Sequence, residues 1–493
     1  MRWLAFILLI SANYTVGQNL EIKNLHYRNY FQSDSSVLSS SNHTSVKPYL
    51  QLKTVTESSR FSKSIKQNDL IYPIVNIGIG VDSETKFPFD LGVGLGIDYH
   101  SKKFTITGKL LPHFNQGGYV VDSIQQNYQI NVGIGRPFGN DFFMQGELIA
   151  AYRPNKFFTF LGGIGKNSFG EGYRTLLLSD NAPANPFLKL ETSFWSIKYV
   201  NLFNVWKDFS SAPQNRQKDV TKLSAAHYLS WNITKEFNFS VFETVVWEAK
   251  DTLTNRYFEP NYMNPFVMYR PVEYSQGSAD NVLLGANLSF KTNSNTTIYS
   301  QVIVDEFLLA EIKDTNQWWG NKFGTQIGIK TKHFLIPNLY GQIEFNMVRP
   351  FTYSHKQSPQ SYGHASASVT HPLGANFYEV NSILSYQLNR HQFTMQLTYA
   401  MFGADSSEVS YGQNVWKSYN NRDGDYNHSI GQGVQQNIFS ANFFYEYPLK
   451  SMPNTFFTGR YQLRAHTSEK YFNQTHMLEI GIRSRIWNKN DDF

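Results

Sequence analysis

Five groups of residues in this chain have types and spacings that could carry chemistry. Ser179-Asp180 sets a hydroxyl beside a carboxylate. No Gly-x-Ser-x-Gly elbow surrounds it, and Ser-Asp-Asn-Ala-Pro is also the composition of a turn after an apolar run. Asp305-Glu306 are adjacent carboxylates at a strand end. Neighbouring strand residues point to opposite faces, so the two are not placed for acid/base work, and one is expected to face inward. Asp423, Asp425 and Asn427 have the spacing of calcium ligands, but His428 stands where the sharp turn needs Gly and Val434 where the loop needs Glu. A solvated turn fits better. His364 and His371 belong to no H-E-x-x-H pattern. Gly165-Lys166-Asn167 stops short of a phosphate loop, with Phe160 and Asn167 at positions that require Gly and Ser or Thr. No catalytic residue, cofactor or metal site is expected, and the reading is not of an enzyme.

The elements around these residues set the class of protein. The chain has 493 residues, of which 16% are aromatic, with 39 Phe and 30 Tyr. That richness suits a membrane barrel with aromatic girdles. Charge is sparse and the net +6 is spread along the chain, with no basic run to track phosphates, so nucleic acid is not an expected partner. The absence of cysteine excludes a disulfide framework, a thiolate zinc site, a thiol nucleophile and a lipid anchor on an N-terminal Cys. Arg2, the apolar run Trp3–Ile10 and the small residues before Gly17 read as a signal peptide over 1–17. No later stretch approaches a membrane helix in length. Residues 18–70 are polar, Ser-rich and weakly periodic, and are expected to form an N-terminal periplasmic segment.

From there to residue 493 the chain alternates. Leu91, Val93, Leu95 and Ile97 share one face and Gly92, Gly94, Gly96 and Asp98 the other; Tyr128–Ile134, Ile343–Met347 and Leu478–Arg483 repeat the pattern. Some 16–18 such runs of membrane-strand length imply an all-β, transmembrane antiparallel barrel over 71–493. Glycines and charges share the polar face, as in a wet or plugged lumen, and aromatics gather near strand ends (Phe142-Phe143, Phe157-Phe158, Phe456-Phe457). Export to the outer membrane of a Gram-negative bacterium follows, with outer-membrane lipid and the barrel assembly machinery as partners; a final amphipathic strand near Phe493 is a loose version of the assembly signal. Polar connections at 208–222, 249–280, 349–372 and 404–436 are the expected external loops. Gly162–Pro186 breaks the alternation with clustered glycines and Leu176-Leu177-Leu178, and is read as a short helical or loop plug.

That inserted segment resembles the capsule-assembly family typified by Wzi. The residues are Gly170-Glu171-Gly172-Tyr173, Leu176 through Pro183 and Pro186-Phe187, joined by Tyr362-Gly363-His364 and His371 through Asn376. Asp305-Glu306-Phe307, Trp318-Trp319, Asn321 through Gly324 and Arg349 through His355 look like the bacteroidete branch of that family, which includes the gliding-motility protein RemB. The resemblance implies a partly plugged barrel of about 18 strands. It would bind or organise surface polysaccharide, capsular or exopolysaccharide, without turnover, and could support gliding motility. Sugars need aromatic faces and amide or charged groups for their hydroxyls. Trp318, Trp319, Asn321, Tyr353, His355, His364, His371 and Asn376 supply these, with Arg174, Asp180 and Asn181 on the inserted segment. Girdle aromatics and a porin-like diffusion channel are the competing readings.

Overall fold

A computed structural model describes residues 18–23, 43–54 and 71–485, apart from short internal stretches of which 117–135 and 210–218 are the longest. The expected signal peptide (1–17), the alternating run Tyr128–Ile134 and the terminal Phe493 lie outside the described residues.

Eighteen antiparallel strands close into one barrel. In chain order they are β1 Ile71–Asp82, β2 Phe89–His100, β3 Phe104–Gln116, β4 Phe142–Tyr152, β5 Phe158–Gly165 and β6 Asn185–Phe194. Next come β7 Ile197–Asp208, β8 Val220–Asn232, β9 Phe237–Glu248, β10 Asn281–Lys291, β11 Thr296–Glu306 and β12 Lys322–Thr331. The last six are β13 Leu339–Val348, β14 Phe377–Leu388, β15 His391–Ala404, β16 Val434–Pro448, β17 Thr455–Ser468 and β18 Phe472–Ser484. Each strand pairs with its neighbours in sequence, and β18 closes on β1 with Ile480 opposite Ile79. Closure removes the open edges that a sheet could not carry through lipid.

The alternation decides which face is which. In β1, Ile77, Ile79 and Val81 are exposed on the outside, while Asn76 and Gly78 are buried inside. In β13, Ile343 and Phe345 face outward, while Gln342, Glu344 and Asn346 are buried within. An apolar exterior around a polar interior is the arrangement a bilayer selects. All the long connections, those expected from the sequence together with 117–141, 166–184 and 307–321, leave one end of the barrel. The other end carries short turns such as Trp195-Ser196, and the first and last strands begin and finish there. The even strand number, apolar wall and sidedness make this an outer-membrane β-barrel, with its long loops outside.

Three details differ from the sequence expectation. Gly162–Gly165 continue strand β5, with Ile164 outward, so the insertion proper is 166–184. Gly163 requires glycine, because its φ is +144° and a Cβ there would run into the Leu148 carbonyl. The insertion contains no helix. Its ordered pieces are a two-residue pairing of Ser168-Phe169 with Val46-Lys47 and a bridge from Phe169 to Leu178. Short helices occur instead in outer loops: α1 Pro260–Met263, α2 Tyr269–Gln276 and α3 Leu309–Lys313. Finally, the described part of the N-terminal segment is docked in the barrel. His43 hydrogen-bonds Ser230 and Asn232, and Thr44 donates to Glu171.

The outward register makes a direct prediction. Ile343→Arg puts a charge on the lipid face in mid-strand and should destabilise folding into vesicles by about 2–4 kcal/mol. Equilibrium urea titration in lipid measures it, and a change near zero would mean that this face does not meet hydrocarbon.

Candidate functional site

The lumen is occupied by the chain itself. Residues 166–184 descend from the outer mouth and press Leu176, Leu177, Leu178 and Phe169 into an apolar core against Phe187, Trp206, Tyr228, Phe242 and Leu283 of the wall. Irregular backbone here forgoes its own ladder, so its polar groups need other partners. The inward side chains of the strands supply them. Glu344 accepts the backbone N–H of Tyr173 (2.9 Å) and of Arg174 (3.1 Å). Gln301 accepts from Leu176 N and donates to the Phe169 carbonyl, and Gln326 donates to the carbonyl of Arg174. Lys330 Nζ reaches both the carbonyl and the carboxylate of Glu171, each at 2.8 Å.

Arg174 is the centre of this arrangement. Its guanidinium lies 3.4 Å from Glu379, and both side chains are almost wholly buried. His371 Nε2 is 3.0 Å from the same carboxylate, and its ring stacks on Phe377 at 4.1 Å. Two further loops lock over the insertion. From 349–376, Tyr353 and Tyr362 donate their hydroxyls to the carbonyls of Leu176 and Leu177, and Asn181 Nδ2 donates to Ser368 O. From 405–433, the carbonyls of Tyr411 and Gln432 accept from Asn376 Nδ2, which also donates to Gly403 O at the end of β15, while Asn376 Oδ1 accepts from Gly431 N.

A second cluster sits at the outer mouth. Trp319 lies 4.8 Å from Tyr419 between ring centroids and 5.9 Å from Trp318, with the Arg422 guanidinium 4.0 Å above it. Beneath, Lys322 Nζ approaches Asp305 (3.5 Å), Glu306 (3.4 Å) and the Tyr419 ring (4.9 Å). Both carboxylates reach one amine because a bulge shifts the β11–β12 register between Val304 and Glu306. This corrects the expectation that they point apart. Three buried atoms in this cluster lack a well-formed protein hydrogen bond: Lys322 Nζ, His355 Nδ1 and Gln360 Oε1. Burial, reinforced by the positive charge of Lys322, lowers the His355 pKa to about 4, so its imidazole is neutral at pH 7.

The residues singled out from the sequence therefore divide. Arg174, Asn181, Tyr353, His364, His371 and Asn376 are buried and hold the plug; His364 accepts from Lys207 N. Asn321 is buried at the mouth, where it accepts from Leu308 N. Trp318, Trp319 and His355 are half-buried in the mouth cluster. Asp180 is separate: it lines a lumenal cavity of about 70 Å³ with Lys47, Lys109, Glu147 and Lys166. Ser179 donates to the Thr370 carbonyl and accepts from Asn181 N, so its hydroxyl is spent on the fold. Asp425 accepts from Arg422, and its carbonyl accepts from Trp319 N. Sequence reasoning missed Glu379, Lys322, Gln360, Tyr419 and Arg422. The parity of the strands marked Glu379 as inward, but nothing in the sequence paired it with Arg174.

The fold and its occupied lumen define the class: a plugged, 18-stranded outer-membrane barrel. Among solved structures the chain is similar to Pseudomonas aeruginosa OpdK with vanillate, at 8% identity and TM-score 0.45, covering 83% of this chain and 97% of that one. It is similar also to Pseudomonas aeruginosa OprD (9%, TM-score 0.43, covering 85% and 95%) and to Acinetobacter baumannii OccAB2 (9%, TM-score 0.43, covering 84% and 96%). No protein-family model and no curated protein matches the sequence.

Two predictions test this geometry. Arg174→Met leaves Glu379 buried without its guanidinium partner and should cost about 3–5 kcal/mol. Denaturation in lipid would read the loss, and single-barrel conductance should rise as the plug loosens. His355 gives a pH dependence. The fold depresses its pKa from the ordinary 6.5 to about 4, so the stability it contributes is complete above about pH 6.5 and is lost as pH falls toward 4. The unfolding midpoint of the wild type should fall across that window, and less steeply in His355→Gln; equal slopes would remove His355 from the account.

Proposed function

We propose that this barrel binds surface polysaccharide at its outer mouth and helps to hold it at the cell surface. The observation that carries the reading is the mouth cluster. Half-buried rings of Trp318, Trp319 and Tyr419 stand beside Lys322, His355 and Gln360, whose buried polar atoms are short of hydrogen-bond partners. Aromatic faces suit the C–H faces of sugar rings. A cation, a neutral imidazole nitrogen and an amide oxygen suit sugar hydroxyls, which both donate and accept. The packed lumen supports a binding role over transport of large solutes, and the resemblance to Wzi-like sequences points the same way. Support of gliding motility would follow from a surface coat held by such a protein. In this proposal the buried members of the sequence-derived set, His371 and Asn376 among them, act by positioning the plug and loops, while Trp318, Trp319 and His355 meet the glycan.

A second reading, a diffusion channel for small polar solutes, is favoured by the wall of β1–β3 and β16–β18. It carries an ionic network of Asp90, His113, Glu479 and Arg483, away from the apolar core of the plug.

The test compares cell-bound with shed polysaccharide in a deletion strain complemented by the wild type or by Trp319→Ala, with planar-bilayer conductance of both proteins. Glycan attachment predicts that polysaccharide moves to the medium on deletion, that wild type restores it and that Trp319→Ala does not, with conductance unchanged by the substitution. Full retention in the deletion strain, together with steady solute-selective conductance of the wild type, would establish the channel instead.

A further inference from the structure

The outer wall of the barrel carries polar side chains in one sector where its neighbours carry lipid-facing ones. Asn201, His227 and Glu243 lie opposite one another on β7, β8 and β9, and all three are buried. In the same register on either side stand exposed apolar residues. Asn201 leads through Leu190 to Phe160, and Glu243 faces Leu284. A carboxylate and an imidazole at that depth are costly if they meet hydrocarbon.

They do not meet it, because the β9–β10 loop folds back down the outside of the barrel. Tyr269 hydrogen-bonds His227 Nε2 at 2.8 Å and stacks on its ring at 4.3 Å. Arg270 N donates to Glu243 at 3.0 Å, and Tyr199, lower on β7, donates its hydroxyl to the Pro265 carbonyl. Tyr262 and Tyr269 pack on the outward Leu223, Ala225, Val245 and Trp247. Arg256, paired with Asp280 at 2.7 Å, ties the lobe to the start of β10. On the far side of this lobe Phe266 is 90% exposed, Met268 64% and Tyr274 88%.

We propose that the lobe formed by 259–266 and 268–276 is inserted in the outer leaflet, with Phe266 and Met268 among lipid acyl chains and Tyr274 nearer the headgroups. Three observations carry this. Pro265 is bonded to a strand residue below the Asn201 register, so Phe266 lies at the depth of wall residues that face lipid. The run Tyr262–Tyr269 contains no charged residue; the charges begin at Arg270 and Glu273, on the part of the lobe that climbs back to the mouth. The next outer loop likewise exposes apolar residues, Phe307, Leu309 and Ile312. Apolar residues deep and an amphipathic Tyr higher is the ordering a membrane interface imposes.

The chain has no cysteine, so a single introduced one reports alone. The experiment places a nitroxide at Phe266→Cys, and in a second protein at Met268→Cys, in the full-length barrel reconstituted in dioleoylphosphatidylcholine vesicles. Leu188→Cys on the lipid-facing wall and Glu408→Cys in an outer loop serve as references. Insertion predicts that oxygen relaxes the lobe labels as it does at Leu188, and that a water-soluble nickel chelate relaxes them several-fold less than at Glu408. Relaxation by the chelate equal to that at Glu408 places the lobe in water and overturns the proposal. Shielding from both relaxers at both lobe positions means that protein covers the face, a second copy of this chain first among the candidates, and overturns it equally.

Discussion

The interior of this barrel depends on one buried cation. Arg174 sits between the wall carboxylates Glu344 and Glu379, receiving the side-chain pairing of the second while its own backbone is held by the first. Ionised groups in so dry a place are tolerable only when each is both paired and hydrogen-bonded. Glu379 meets that condition with Arg174, His371 and Asn346, and Glu344 is held by hydrogen bonds from Tyr299, Asn346 and the plug backbone. The insertion therefore has one seat, and the loops that lie over it inherit their positions from it. Tyr353 and Tyr362 bond its carbonyls, and Asn376 joins the loop they belong to with the loop that ends at β16. The mouth cluster stands on top of this stack.

This is a fold with two solvents and an unusual core. Lipid selects the outer face, and the inner face is polar, yet the largest buried apolar cluster lies inside the barrel, where the leucines of the insertion meet Phe187, Trp206 and Phe242. Burial of those side chains contributes the apolar stabilisation that a water-filled barrel would lack. The wall's amides and charges then act as hydrogen-bond partners for irregular backbone.

Much of this was legible in the sequence. The barrel was, because a wall with lipid on one side must alternate strictly, and Ile77-Gly78-Ile79 or Ile343-Glu344-Phe345 cannot hide their parity. The insertion was visible as a break in that parity, but its edges were not: Gly163 and Gly165 look like loop glycines and are strand residues facing a crowded interior. The site was legible only in part. Tyr, Asn and His are the side chains that meet sugar hydroxyls, and they are also the ones that satisfy stray carbonyls. Sequence does not tell Tyr353, bonded to a leucine carbonyl, from Trp319, ringed at the mouth. Asp305 and Glu306 converge through a bulge, which leaves no mark in an alternation pattern.

The N-terminal contacts bear on how such an object can be built. Ser45 and Val46 are bonded to Gly170 and Phe169 inside the ring, although they precede its first strand, and the ring is sewn shut where β1 meets β18. The two sides of that seam come from opposite ends of the barrel sequence, so it cannot form until synthesis is complete. Val46-Lys47 precedes β1, which begins at the short-turn end, while the insertion descends from the outer mouth, so their pairing joins segments from both ends of the barrel. The lumen is thus filled from two directions, and an insertion or N-terminal piece out of place would leave the buried backbone groups of the other without their partners.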